Sequence, residues 1–178
     1  MTICVAYKSK GKVFCASDTL ISADLDCGRD TMEKIFEKNG IIYCVAGDCK
    51  ANMGLRYEFN FKKPANATSA DDVVFNHFRN KLKKFLKDNE EYLNEEKEFV
   101  GELMIIVDNQ IYVFNPDYSI TKPTTNFYCI GCGADIGFGA LGAIQEVKGL
   151  STRDKVNIAI HTAGKYSTGC NEEVRWFN

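Results

Sequence analysis

A chain whose first residues already read as a β-strand commits its terminus to the inside of a sheet instead of leaving it frayed in solvent. Met1-Thr2-Ile3-Cys4-Val5-Ala6-Tyr7 and Lys12-Val13-Phe14-Cys15-Ala16-Ser17-Asp18 are rich in the branched and aromatic side chains that suit a pleated, half-buried surface. Lys8-Ser9-Lys10-Gly11 between them is a polar, glycine-containing turn, so the pair reads as a hairpin. Removal of Met1 would leave a threonine whose hydroxyl and α-amine sit on neighbouring carbons. A hydroxyl is a weak nucleophile at neutral pH, but an amine with an ordinary pKa near ~8 is a usable base there, so Thr2 would carry nucleophile and base together.

Downstream, strands come first. Leu20 to Asp30 is polar, with Ser22, Asp24, Asp26 and Gly28 interrupting any period, and reads as a loop. Met32 to Phe36 and Ile41 to Val45 flank Lys38-Asn39-Gly40, whose Asn-Gly pair favours a tight hairpin. Asp48 to Phe61 admits a helix weakened by Gly54. Pro64 to Thr68 is a linker. Ser69 and Asp72 form a capping box before Val73, Val74, His77, Phe78, Lys81, Leu82, Phe85 and Leu86, which recur at helical spacing. Asp88 to Glu98 breaks that pattern. Glu102 to Val107, Gln110 to Phe114 and Asn126 to Ile130 read as strands of a second sheet. Gly133 to Val147 reads as a helix whose small residues permit close approach to a neighbour. Ser151 with Asp154 caps another running to about Tyr166, and Val174 to Phe177 closes the chain as a strand.

Composition narrows the function classes. The 178 residues, 45% hydrophobic and 26% charged, suit one core and are few for two, so residues 1–178 read as a single domain. A net charge of -2 argues against a nucleic-acid partner. No apolar run approaches the ~20 residues of a membrane span, and no charged region followed by an apolar stretch opens the chain, so a cytoplasmic protein is expected. Of eight cysteines, Cys4, Cys15, Cys44 and Cys129 lie in apolar strand-like runs and read as reduced, small hydrophobes. Cys129 and Cys132 form a CxxC without the second pair or histidine that a zinc site needs.

The order Thr2, hairpin, Asp18, then Lys34-Ile35, then a strand ending Ala46-Gly47 resembles a proteasome β-type subunit, and equally the bacterial peptidase HslV. Both are threonine peptidases of the N-terminal-nucleophile class. Ile130-Gly131-Cys132-Gly133-Ala134 is similar to the family's Gly-Ser-Gly turn opening a helix, and Ala163-Gly164-Lys165-Tyr166-Ser167 falls where its last long helix ends. The resemblance spans nearly the whole chain. It implies an α+β fold, a four-layer αββα sandwich of the N-terminal-nucleophile hydrolase type.

It also implies roles. Thr2 Oγ would attack a peptide carbonyl while its amine takes the proton. Lys34 would favour the deprotonated amine and the developing alkoxide, Asp18 would hold Lys34, and the Gly47 N–H would meet the oxyanion. Cys132 and Ser167 complete the expected catalytic set. Cys132 stands where the family commonly has serine, and Ser167 where proteasome β subunits, but not HslV, have aspartate. Ile21, Met32, Phe36, Val45, Cys49 and Met53 would line an apolar substrate pocket, selecting an apolar side chain before the cut bond. No cofactor is required, though backbone carbonyls of Gly164, Ser167 and Cys170 would suit a monovalent or divalent structural cation. The partners implied are unfolded protein or peptide substrates, further copies of the chain in a ring, and an ATP-dependent unfoldase. A catalytically silent scaffold subunit is the alternative that the departures at Cys132 and Ser167 leave open.

Overall fold

The computed structural model describes residues 2–23, 26–29 and 32–177, with side chains outside 22–31. In chain order its strands are β1 (Cys4–Ser9), β2 (Lys12–Asp18), β3 (Leu20–Ala23), β4 (Asp26–Arg29), β5 (Ile35–Lys38), β6 (Ile41–Gly47), β7 (Gly101–Val107), β8 (Gln110–Phe114), β9 (Ile120–Thr121), β10 (Phe127–Ile130) and β11 (Val174–Phe177). The α-helices are α1 (Cys49–Met53), α2 (Ala70–Asp72), α3 (Arg79–Asp88), α4 (Ala134–Ile144) and α5 (Thr152–Tyr166). Wide π-helical turns, Gly54–Glu58 and Val73–Phe78, extend α1 and join α2 to α3.

Turn chemistry sets the hairpins. Lys10 and Gly11 (φ 50° and 77°), Asn39 and Gly40 (54° and 73°), and Asp108 and Asn109 (49° and 57°) each place two residues in the left-handed region. Paired positive φ values match the twist of the flanking strands and give two-residue hairpins. One antiparallel sheet follows the order β10-β1-β2-β11, the other β5-β6-β7-β8-β9.

Most central strands are apolar on both faces, and each face goes to a different core. Along β6, Ile41, Tyr43 and Val45 pack against Leu55, Phe59, Val74, Phe78 and Leu82 from the helical segments, whereas Ile42, Cys44 and Ala46 turn to the other sheet. Along β7, Leu103, Ile105 and Val107 join the first set and Met104 and Ile106 the second. In β1, Val5 and Tyr7 meet Leu141, Val156, Ala159, Ile160 and Ala163 of α4 and α5, while Cys4 and Ala6 face the opposing sheet. A period of two side chains per repeat thus feeds three cores, and three cores between layers make a four-layer αββα sandwich. Cys4, Ala6, Cys15, Cys44 and Ala46 between the sheets are small, which brings the two backbones close.

The structure corrects several expected boundaries. The region read as a loop from Leu20 to Asp30 contains the β3–β4 ladder, from Leu20 opposite Arg29 to Ala23 opposite Asp26; Asp24, Leu25 and Asp30 lie outside the described residues. Its polar residues hid a strand pair that belongs to neither main sheet. Strand β5 begins at Ile35 rather than Met32, and α4 ends at Ile144 rather than Val147. Ser69 accepts from the Asp72 N–H and Ser151 from the Asp154 N–H, each at 3.1 Å, but only the second pair closes the box, the Ser151 N–H donating to Asp154 Oδ2 at 2.9 Å; the Asp72 carboxylate accepts from the Thr68 N–H at 3.0 Å instead.

Glycines divide by what surrounds them. Gly54 stays because the Tyr92 ring lies 2.6 Å from where a Cβ would sit, and Gly137 because Ile3 Cδ1 lies 2.8 Å away. The close approach expected of the small residues of this helix is made at Gly137 and at Gly133 before it, whereas Gly139 and Gly142 of α4 face open space. Gly139→Ala is therefore expected to raise the unfolding free energy by ~0.5–1 kcal/mol, since alanine fixes less backbone entropy on folding. An unchanged urea midpoint would contradict it.

Candidate active site

Ile3, just before β1, and Asp18, the last residue of β2, bring the two ends of the first hairpin together. The Ile3 N–H donates to Asp18 Oδ1 at 2.9 Å, and the Asp18 N–H returns a bond to the Ile3 carbonyl at 3.1 Å. Lys34 Nζ donates to the same Oδ1 at 2.8 Å. Oδ2 accepts from the Leu20 N–H at 3.2 Å and the Asn171 N–H at 3.3 Å. Asp18 and Lys34 are 1% and 5% exposed, so the ion pair is held away from water, and each of these partners of the carboxylate is a donor. The Lys34 carbonyl accepts from the Val45 N–H at 2.9 Å, which fixes the entry to β5 against the end of β6.

Thr2 is buried one residue before Ile3. Its nitrogen donates to Cys132 Sγ at 3.3 Å, and its carbonyl accepts from the Gly133 N–H at 3.2 Å. The Gly131-Cys132-Gly133 turn is built for this contact. Gly131 has φ +95°, and a Cβ there would collide with the Thr2 carbonyl. A Cβ on Gly133 would fall 2.6 Å from Cys170 Sγ and 3.0 Å from Ile3 Cβ. Cys129, the other half of the CxxC, points into the core under α4 and α5, so the two thiols diverge.

Gly47 closes β6 opposite Gly101, with φ +102°; a Cβ would lie 2.8 Å from Gly101 Cα and 2.9 Å from the Val100 carbonyl. Only glycine allows this approach of two backbones. Ser167 caps the C-terminus of α5, its hydroxyl accepting from the Gly169 N–H at 3.3 Å and its carbonyl from the Cys170 N–H at 3.3 Å. Gly164 packs on the backbone of Asn171 and Glu172. With the Ser167 carbonyl engaged by Cys170 and the Gly169 carbonyl accepting from the Cys132 thiol at 3.4 Å, a cation at this turn would compete with bonds already made. Among the described residues no group of three His, Cys, Asp or Glu side chains is placed to hold a metal.

The expected pocket residues do not share one environment. Ile21 and Met32 are half-buried, Cys49 is exposed and Met53 is 51% exposed. Phe36 and Val45 are buried in the core between the second sheet and the helices. Phe36 stacks on Tyr43 at 5.0 Å with Arg56 over its other side at 4.6 Å.

No protein-family model matches the chain, and no curated protein matches it in sequence. Solved structures do match. Two structures of BPH from Thiobacillus denitrificans, one in complex with epoxomicin, superpose with a TM-score of 0.82 at 18% identity, over 98% of this chain and 96% of theirs. HslV from the eukaryote Trypanosoma brucei superposes with a TM-score of 0.71 at 13% identity, over 98% of this chain and 97% of its own. The chain has the HslV fold.

Two further residues of this HslV-type fold, Glu102 and Asn171, bear on Thr2 and escaped the reading of the sequence, as did the thiol of Cys170, which was named for its carbonyl alone. Glu102 Oε2 accepts from the Gly131 N–H at 3.1 Å, pinning the turn that covers Thr2. A charge opening the apolar run Leu103 to Val107 was its one signal. Asn171 donates its N–H to Asp18, and its side chain accepts from the Thr19 N–H at 3.1 Å. Cys170 lies with its Sγ 3.9 Å from Cys132 Sγ. The last two sit more than 150 and nearly 40 positions from their partners, and nothing local marks them. No helix among the described residues is long and apolar enough to cross a membrane.

Proposed function

We propose that the chain is a threonine-type peptidase subunit of the proteasome and HslV family, cutting peptide bonds with Thr2 after loss of Met1. The observation that carries this reading is the buried Asp18–Lys34 pair anchored to the residue next to Thr2, with Oδ1 shared between the Ile3 N–H and Lys34 Nζ. A fixed ammonium beside a new terminal amine disfavours protonation of that amine and stabilises an alkoxide, which are the two demands of a threonine nucleophile.

In this reading Thr2 Oγ attacks the carbonyl carbon of a peptide bond while the Thr2 amine accepts the hydroxyl proton. The Gly47 N–H steadies the tetrahedral oxyanion, the amine returns its proton to the departing nitrogen, and water then hydrolyses the ester on Thr2. Cys132 Sγ, already 3.3 Å from the nitrogen, orients the amine where the family commonly uses a hydroxyl. The chemistry requires no cofactor; a structural cation on the carbonyls of Gly164, Ser167 and Cys170 would have to displace the bond from the Cys170 N–H to the Ser167 carbonyl, and takes part in no step. Copies of the chain assemble into a ring enclosing the Thr2 sites, fed with unfolded polypeptide by an ATP-dependent unfoldase.

The epoxomicin complex of the similar BPH structure suggests the test. The protein made in its native host is expected to lack Met1 by intact mass, to hydrolyse fluorogenic peptides, and to gain one epoxomicin on Thr2 with loss of that hydrolysis; Thr2→Ala should gain none. Retained Met1 with no adduct would point instead to a scaffold subunit.

A further inference from the structure

We propose that Cys132 and Cys170 form a thiol-oxidation site beside the nucleophile, closing to a disulfide in the presence of a hydroperoxide and drawing Cys132 away from the Thr2 nitrogen. The effect on Thr2 rests on the function proposed above; the oxidation site does not.

Three observations carry it. Cys132 is exposed, so an oxidant reaches it from solvent. Its Sγ lies 3.9 Å from Cys170 Sγ, a partner close enough to capture an oxidised sulfur. The same Sγ accepts from the Thr2 nitrogen at 3.3 Å, so whatever moves it is felt at the candidate base. The juxtaposition is built into the chain: Gly133 leaves the space that Cys170 occupies, and Cys170 hangs on the turn after α5, its N–H held by the Ser167 carbonyl at 3.3 Å. Burial, with Asp18 and Cys132 nearby, pushes the Cys170 thiol up to about 12, which leaves the exposed Cys132 to react first.

The chemistry balances with a hydroperoxide as the two-electron oxidant. Cys132 sulfur attacks one peroxide oxygen, the O–O bond breaks, and the departing hydroxide or alkoxide takes the thiol proton, leaving Cys132 as a sulfenic acid. Cys170 sulfur then attacks Cys132 sulfur; the S–O bond breaks and hydroxide leaves with the Cys170 proton as water. Two thiols are oxidised and one peroxide reduced. An S–S bond is about 2.0 Å long, so the two sulfurs approach by nearly 2 Å, and motion of the exposed Cys132 takes it off Thr2. A dithiol reductant reverses the linkage.

The test treats the purified full chain with hydrogen peroxide, blocks remaining thiols by alkylation, and maps cysteine peptides by mass spectrometry. A Cys132–Cys170 linkage with the loss of two hydrogens is expected, and it should vanish in Cys170→Ser and in Cys132→Ser. Peptide hydrolysis should fall about a hundredfold, the lower end of what a positioned proton-transfer group contributes, and return with dithiothreitol. In Cys170→Ser, measured against its own reduced activity, the dithiothreitol-reversible disulfide inhibition should be absent. Free Cys132 and Cys170 after treatment, or linkage through another cysteine, overturns the site. A linked protein with undiminished hydrolysis overturns the effect on Thr2. A chain that links but never hydrolyses peptides leaves the site standing and overturns the peptidase reading instead.

Discussion

Replacing Asp18 with alanine is expected to remove ~3–5 kcal/mol of folding stability, a large share of the ~5–15 kcal/mol that holds a typical domain together. The carboxylate satisfies Lys34 Nζ and the N–H groups of Ile3, Leu20 and Asn171 at once. Alanine satisfies none of them and takes the counter-charge from an ammonium in a site where Lys34 is only 5% exposed. The diagnostic comparison is with the double variant Asp18→Leu/Lys34→Met. Removing both charges leaves no buried cation separated from the Asp18 carboxylate, so urea unfolding of the double variant should recover much of the loss, although the three backbone donors remain poorly served. Peptide hydrolysis should be absent from both, because neither retains the lysine–aspartate pair. A single variant that loses less than ~1 kcal/mol would mean the pair behaves as a surface salt bridge, and the case for a preorganised charge beside Thr2 would fall with it.

The fold was more legible in the sequence than the site. Runs such as Ile41 to Ala46 and Leu103 to Val107 are apolar at every position, and a strand buried on both faces must lie inside a layered structure; the two-residue period then assigns each side chain to a core. Asn39-Gly40 announced its turn because such residues accept paired positive φ angles most readily, although Lys10 takes one as well. The β3–β4 ladder was invisible because its alternation is polar and glycine-interrupted, carrying no burial signal. At the site, the chemistry of a terminal threonine pointed to Thr2, but Asp18 and Lys34 could be nominated only through a resemblance in their order; a lone aspartate at a strand end otherwise reads as a turn residue. The acceptor that pins Gly131, the backbone donor from Asn171 and the thiol of Cys170 are tertiary placements across wide sequence separations. Residue type carries no information about such partners until the layers are packed.

Gly131→Ala tests whether the turn over Thr2 is a positioning device or a passive connection. Two effects act against the new methyl group. The backbone sits at φ +95°, which disfavours any L side chain by roughly 1–2 kcal/mol, and the Cβ meets the Thr2 carbonyl while also pressing on Ala46 Cβ at 3.2 Å. Thr2 cannot retreat easily, since Ile3 is tied to Asp18 and the Thr2 carbonyl to the Gly133 N–H. The turn must therefore lift, carrying Cys132 away from the Thr2 nitrogen and stretching the bond from the Gly131 N–H to Glu102. A displacement near ~1 Å at a reacting group is enough for a ~10²-fold loss, so kcat for peptide hydrolysis should fall by about that factor, with KM changing far less. Epoxomicin labelling of Thr2 should slow in parallel, while Gly139→Ala, whose added methyl meets nothing, should leave both rates unchanged. If Gly131→Ala instead lowers stability but labels and hydrolyses at the wild-type rate, the turn supports the fold alone, and the alignment of the Thr2 amine must come wholly from the strand that precedes Asp18 and from Lys34.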